Sequence, residues 1–285
     1  MPSRQTVLDS HFASRTNYWK NVYKREDLGA KIFQERNERS LQWIHALRLQ
    51  TGTKALDAGC GAGITAVGLA SLGFDVHAVD RVDAMLASVR ETAERAGVQS
   101  RVTPSIGDIR MLDFSKDNFG LVVSLGVIAW LDSPEEGVRE LARVLRPGGY
   151  LVLAVGNSQN LSDWLNPPYI PFLAPLRRFC AAWLRRMGWL APSASAPPDR
   201  HMRPAQVDRI LQAAGLRKVN ATTIGFGPFS LFKTNLFPNR ISLRIHNLLQ
   251  SLADHKWPLV RSTGAHYLVL AVKPECHMDI PRQES

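Results

Sequence analysis

The run Ala55-Leu56-Asp57-Ala58-Gly59-Cys60-Gly61-Ala62-Gly63 constrains this chain more than any other stretch. Ala55 and Leu56 are apolar and suit a short strand buried on both faces. Gly59, Gly61 and Gly63 carry no Cβ, so the backbone there can turn sharply and press against a ligand. Ile64 to Leu72 then reads as a helix whose first amide groups point back into the crevice that the glycines line. A strand, a glycine loop and a helix in this order form a nucleotide site.

Two ligand classes compete for such a site. Gly61-Ala62-Gly63-Ile64-Thr65-Ala66 formally satisfies the G-x-G-x-x-G/A pattern of dinucleotide enzymes. Asp57 tilts the choice, because a carboxylate beside a pyrophosphate is repelled and beside an ammonium is attracted. S-adenosylmethionine carries such an ammonium and no phosphate. The whole run resembles the D/E-x-G-x-G-x-G motif of the class I S-adenosylmethionine-dependent methyltransferases.

Further features follow in the order that this resemblance requires. Asp75 to Asp80 reads as a second strand ending in an acid, about twenty residues beyond the loop, where a carboxylate can accept both ribose hydroxyls. Val102 to Ile106 reads as a third strand followed by Gly107-Asp108-Ile109. The resemblance implies that Asp108 accepts from the adenine amine, that Ile109 packs on the ring, and that Leu125 also contacts the cofactor. Phe119 to Gly126 is a very apolar fourth strand, and Leu145-Arg146-Pro147-Gly148-Gly149 is a turn into a fifth, a frequent mark of the same family. The implied fold is α/β: a Rossmann-like, doubly wound, mostly parallel seven-stranded sheet with N-terminal helices and two helical insertions. Leu216 to Phe226 and His266 to Lys273 supply strands six and seven.

The chain of 285 residues divides on this reading into a helical cap (1–50), a cofactor-binding core (51–157), an insertion or lid (158–203), the C-terminal part of the core (204–273, with an insertion at 228–262) and a tail (274–285). Cys60, Cys180 and Cys276 are widely spaced and lack metal-ligand spacing, so they read as reduced thiols of a cytoplasmic protein with no metal site. No apolar segment at the N-terminus suggests a secretory signal, and no run reaches the length of a bilayer span. The net charge of +10 has no compact Lys/Arg cluster or recognition module behind it, which disfavours nucleic acid as a partner. Asn166-Pro167-Pro168-Tyr169 spells a tetrad of nucleic-acid amino-methyltransferases but stands after strand five instead of strand four, an accidental match.

Both insertions are amphipathic. In Leu176 to Leu190, Leu176, Phe179, Cys180, Trp183, Leu184, Met187 and Leu190 share an arc while Arg177, Arg178, Arg185 and Arg186 fall outside it. That pattern suits peripheral membrane contact, a lid over an apolar pocket, or a helix packed on its own protein. In the second insertion Ile241, Ile245, Leu248, Leu249 and Leu252 form an apolar stripe, entered through Phe229, Phe232 and Phe237, that reads as a larger acceptor pocket, a partner surface or extra core.

The N-terminal segment is similar to magnesium-protoporphyrin and quinone-type methyltransferases in the spacing of Phe12, Trp19, Val22, Tyr23 and Arg36. There the leading helices close over the cofactor, which makes Tyr18 and Arg36 candidates for its carboxylate. The region after strand four carries Trp130 where quinone and lipid relatives often have a histidine, which argues for an apolar or stacked acceptor. His201, just before the helix that opens at Arg203-Pro204, is the candidate base for an acceptor hydroxyl, and His266 in strand seven reads as packing. The expected activity is methyl transfer to an oxygen of a small apolar or lipid-like acceptor such as a quinone or polyketide. The rival reading is an inactive cofactor-binding scaffold. A nicotinamide-dependent reductase is disfavoured by Asp57 and by the lack of a recognisable catalytic set.

Overall fold

Runs of β-branched and aliphatic residues buried on both faces require a sheet covered on both sides, and that is what they form in this computed structural model. It describes residues 4–164, 187, 200–231, 234–258 and 260–275. The strands are β1 (Lys54–Ala58), β2 (Asp75–Asp80), β3 (Val102–Ile106), β4 (Phe119–Leu125), β5 (Leu145–Gly156), β6 (Arg217–Ile224) and β7 (His266–Val272). Their order is β3-β2-β1-β4-β5-β7-β6. The first five pair in parallel, and β7 runs antiparallel to both β5 and β6. The sheet is therefore the doubly wound, mostly parallel one that the sequence implied.

Two cores follow from the alternation of side chains. On one face Leu151, Leu153 and Val155 of β5 meet Val138 and Leu141 of α6 (Pro134–Val144) and, beyond the short α7 (Leu161–Trp164), Val207 and Leu211 of α8 (Pro204–Ala213). On the other, Val152 and Ala154 meet Leu69 of α4 (Ile64–Ser71), Val89 of α5 (Asp83–Arg95) and Ile44 of α3 (Leu28–Ala46). Asp27 starts α3 by accepting from the Ala30 amide at 3.1 Å, and Ser133 starts α6 by accepting from Glu136 at 3.3 Å. Before α3, the short helices α1 (Arg4–Ser14) and α2 (Thr16–Asn21) are tied to the core by ion pairs from Asp9 to Arg81 and from Lys20 to Glu91.

The second insertion departs from its apolar pattern. Helix α9 (Asn239–Asp254), the last before β7, buries Ser242, His246, Gln250 and Ala253, while Ile241 and Leu248 are exposed. Ile245, Leu249 and Leu252 are only partly covered, against Phe226 and Phe229. The reason lies in the backbone beyond β6, whose buried amides need partners. The Phe226 amide donates to His246 Nδ1 at 3.1 Å, and the Gly225 amide donates to Gln250 Oε1 at 3.1 Å. His246 Nε2 in turn lies 2.8 Å from Glu35 of α3. Polar side chains thus face inward beside the part of the stripe that packs on Phe226 and Phe229, which hydrophobic periodicity alone does not show. The first insertion's amphipathic stretch Leu176–Leu190, the Asn166–Tyr169 tetrad, Phe232, Cys180 and Cys276 lie outside the described residues, Met187 excepted. Among the described residues no helix is long and apolar enough to cross a membrane.

Candidate active site

The strand order reverses between β1 and β4, and a crevice opens at the C-terminal ends of these strands. It holds a cavity of about 250 Å³. One half is polar and built from three strand-end loops. Asp57 ends β1 buried, 2% exposed, and its Oδ2 has no hydrogen-bond partner. Burial, reinforced by the negative charge of Asp80 and only partly offset by the Ala66 amide, pushes its carboxyl up to about 7. Asp80 ends β2, with Oδ2 accepting from the Gly61 amide at 2.9 Å and Oδ1 from the Val82 amide at 3.0 Å. Burial also raises this carboxyl, against the pull of those amides. The acid at the second strand's end therefore holds the glycine loop in shape as well as facing the cavity.

The loop needs its glycines for two different reasons. Gly59 has φ +77°, and a Cβ there would lie 2.3 Å from Val127 Cγ2, so the close approach of two strand ends demands its absence. Gly61 has φ +51° and nothing within 4 Å of where a Cβ would stand, so its backbone faces open cavity. Gly63 lies beneath the loop against Val89 and is not among the lining residues.

Arg36 enters from α3. It is 6% exposed, its Nε has no hydrogen-bond partner, and its Nη1 would lie 2.9 Å from a Cβ on Gly126 at the end of β4. Its guanidinium stacks 4.9 Å from the Phe33 ring centroid. A buried cation and a buried anion, each with an unused polar atom, thus line one cavity.

The other half is aromatic. Phe12, Trp19, Phe33 and Trp130 wall it, with Phe12 and Trp130 edge to face at 5.2 Å and Trp19 and Phe33 edge to face at 5.5 Å. Leu8 and Asp9 of α1 and Tyr23 also line the cavity, so the leading helices form part of its roof.

Of the residues singled out in the sequence, Asp57, Gly59, Gly61, Asp80, Ile109, Leu125 and Arg36 come together around this cavity. Besides Gly63, three do not line it. Tyr18 is 38% exposed and meets Arg25 and Trp19 instead, while Tyr23 takes a place on the wall. Asp108 is turned into ion pairs with Arg81 and Arg110. Burial raises its carboxyl, but the Arg110 hydrogen bonds and both arginine charges outweigh that and hold it below the ordinary range. His201 is exposed and rests on Gly156, where a Cβ would meet its Cδ2 at 2.6 Å. His266, by contrast, lines the cavity, and its strand position gave no sign of that.

Comparison with known proteins agrees with this geometry. Residues 56–153 match the family model described as a methyltransferase domain. Over this stretch, which holds the glycine loop, Asp57, Asp80 and Asp108, the chain is similar to methyltransferase domains. It is similar to the methyltransferase GfsG of Streptomyces halstedii, 31% identical over 122 residues, which is 42% of this chain and 44% of that one. The chain thus spans less than half the length of that relative. It is also similar to a ubiquinone biosynthesis O-methyltransferase of Acinetobacter baumannii, 26% identical over 73% of this chain and 86% of that one. Among solved structures, the magnesium protoporphyrin IX methyltransferase of Synechocystis PCC 6803 shares the fold, with TM-score 0.63, 16% identity and coverage of 94% of this chain and 99% of that one. The [4+2]-cyclase SpnF shares it as well, with TM-score 0.52, 19% identity and coverage of 83% and 80%.

Proposed function

We propose that the polar half of the cavity seats S-adenosylmethionine and that the aromatic half takes a small apolar acceptor, methylated at oxygen. The observation that carries this reading is the pair Asp57 and Arg36, two buried, oppositely charged groups with unused polar atoms on one cavity wall. A zwitterionic amino-acid group satisfies both at once. Asp57 accepts from its ammonium and Arg36 donates to its carboxylate. Asp80 accepts from the ribose hydroxyls while keeping its hold on the Gly61 amide. Ile109 and Leu125 pack on the adenine, and Asp108 serves chiefly to anchor Arg81. When bound, the cofactor supplies an electrophilic methyl group, and what remains for the protein is alignment of an oxygen nucleophile and exclusion of water. Leu8, Phe12 and Trp130 suit the second task, because they cover the cavity with apolar surface.

The aromatic walls favour a flat or hydrocarbon-rich acceptor, in keeping with a relative named for ubiquinone biosynthesis. Contact with a membrane surface belongs to the same reading. Its support is the net charge of +10 and the exposed Leu236, Phe237, Ile241, Leu248 and Trp257 around α9. An inactive scaffold finds no support, since Asp57, Asp80 and the three glycines are all in place. The deciding experiment is calorimetry with S-adenosylhomocysteine, followed by mass spectrometry of cell extracts treated with the protein and S-adenosylmethionine. The expected result is micromolar binding and a pair of apolar compounds separated by one methyl group. No binding overturns the cofactor seat, and a methylated polar compound overturns the acceptor class. Flotation with anionic but not neutral vesicles is expected, and its absence removes the membrane from the account.

A further inference from the structure

Methylation of a hydroxyl needs a destination for its proton, and His201, exposed and outside the cavity lining, does not supply it. We infer that His266 is the proton acceptor for the acceptor hydroxyl and that the Trp19 indole N–H steadies the oxygen once it is ionised. The inference rests on the reading of the aromatic half as the acceptor site.

Two independent observations carry it. First, His266 opens β7, an interior strand of the sheet, where it is paired with Gly156 of β5 and Ile224 of β6 and lines the cavity. It shares its face of the sheet with Ala154 and Leu268, the face on which α3 lies, and so looks toward Phe33, whose ring centroid is 5.6 Å away. It is the one histidine among the lining residues described. The other titratable groups there are less suited to accept a proton. Asp9 is paired with Arg81, Asp80 accepts from the Gly61 and Val82 amides, Asp57 lies with the glycine loop, Arg36 is a cation that stacks on Phe33, and burial pushes the Cys60 thiol well up. Tyr23 offers a hydroxyl, a poor proton acceptor while it keeps its own proton.

Second, Trp19 flanks the same Phe33 ring at 5.5 Å, and its Nε1 is buried with no hydrogen-bond partner. A buried donor without a partner is unfavourable, and a ligand oxygen removes that cost. An imidazole and an indole N–H that both meet one phenylalanine put polar atoms among the rings of the aromatic half. The step balances simply: the hydroxyl proton passes to the unprotonated imidazole nitrogen, the oxygen bonds to the methyl carbon, and the methyl–sulfur bond breaks with its electron pair left on a neutral thioether.

The test uses the full chain saturated with S-adenosylhomocysteine and 4-nitrocatechol as a coloured phenol. At a pH about one unit below its own midpoint, roughly a tenth of the free phenol is ionised. Bound to the wild type it is expected to show mostly the phenolate band. His266→Gln should return it to mostly the neutral band, and Trp19→Phe should give an intermediate spectrum. Both variants should keep S-adenosylhomocysteine affinity within about twofold, which shows that they are folded. A phenolate band undiminished in His266→Gln, or a neutral phenol in the wild type, overturns the inference and leaves the acceptor site standing. If the wild type takes up S-adenosylhomocysteine but no phenol, the acceptor reading fails first and this one with it.

Discussion

The two halves of the cavity are built by opposite means. The polar half comes from a few residues at the ends of β1, β2 and β4, joined by Arg36, and backbone amides hold its key acid in place. The aromatic half draws Phe12, Trp19, Phe33, Trp130 and His266, with Gly156, from across the whole chain, and its rings hold one another by edge-to-face and tilted contacts. Charge must be met locally and at fixed distance, whereas an apolar container accepts many arrangements of rings. The first half should therefore fail sharply under single substitutions, and the second only by degrees.

The largest effect is expected at Asp57. Asp57→Asn leaves the buried ammonium of a bound cofactor without its counter-charge, a loss of about 3–5 kcal/mol and thus more than a hundredfold in affinity for S-adenosylhomocysteine by calorimetry. The same change should stabilise the free protein. With the carboxyl pushed up to about 7 from 3.8, the folded chain keeps a proton that the unfolded chain gives up as pH rises from 4 to 7. Stability accordingly falls over that window and stays low above it. The neutral amide removes this penalty, so at pH 8 the variant's melting temperature should rise by a few degrees. Tighter binding, or a lower melting temperature at pH 8, would break the contrast.

Arg36 comes next. Arg36→Met keeps the apolar stem against Phe33 and removes the donor to a carboxylate, for a loss of about 1.5–3 kcal/mol, or roughly 10- to 150-fold. Binding of a neutral phenol in the aromatic half should change little. A comparable loss of both ligands would mean that Arg36 supports the whole cavity and not its polar half.

The third effect is a pH dependence. Because Asp57 ionises near 7, affinity for S-adenosylhomocysteine should rise by about tenfold or more between about pH 5.5 and 7.5. The slope should vanish in Asp57→Asn. A flat wild-type profile would show that the carboxyl is already ionised before the ligand arrives.

The same contrast explains what could be read from the sequence. The glycine loop, Asp57, Asp80 and the strand order left marks within short runs, because backbone turns and strand ends fix both residue type and spacing. Ile109 and Leu125 were legible through the same register. Asp108 stands in register too, yet Arg81 and Arg110 engage its carboxylate, an outcome that depends on side-chain reach rather than spacing. His266 looked like strand packing because nothing in β7 reveals that its first residue meets a cavity roofed by helices more than two hundred residues earlier. Tyr23 and Tyr18 could not be told apart, since a short helix turn decides which of them faces inward. Helix α9 was legible only in part for a related reason. Its buried face satisfies backbone amides beyond β6, a need invisible to hydrophobic periodicity.

The smallest effect belongs to the contact that joins the two halves. Arg81 follows Asp80, and its guanidinium reaches both Asp9 oxygens on α1, at 3.2 and 3.1 Å, while it also pairs with Asp108. Helix α1 carries Leu8 and Phe12 over the cavity, so this arginine fastens the roof to the cofactor loop. About a third of its side chain is exposed, as is that of Asp9, so solvent screens the pair and its worth is about 0.2–1 kcal/mol. Arg81→Gln should therefore hasten release of S-adenosylhomocysteine by only about 2- to 5-fold in stopped-flow measurements. The difference should shrink as salt is raised, because the wild-type rate climbs toward the variant's. Asp9→Asn should reproduce most of the effect, since it cuts the same link from the other side and leaves Asp108 paired with Arg110. Equal release rates at low salt would mean that ring contacts such as Phe12 with Trp130 hold the roof alone, and the division between a charge-built and a ring-built half would then extend to the lid itself.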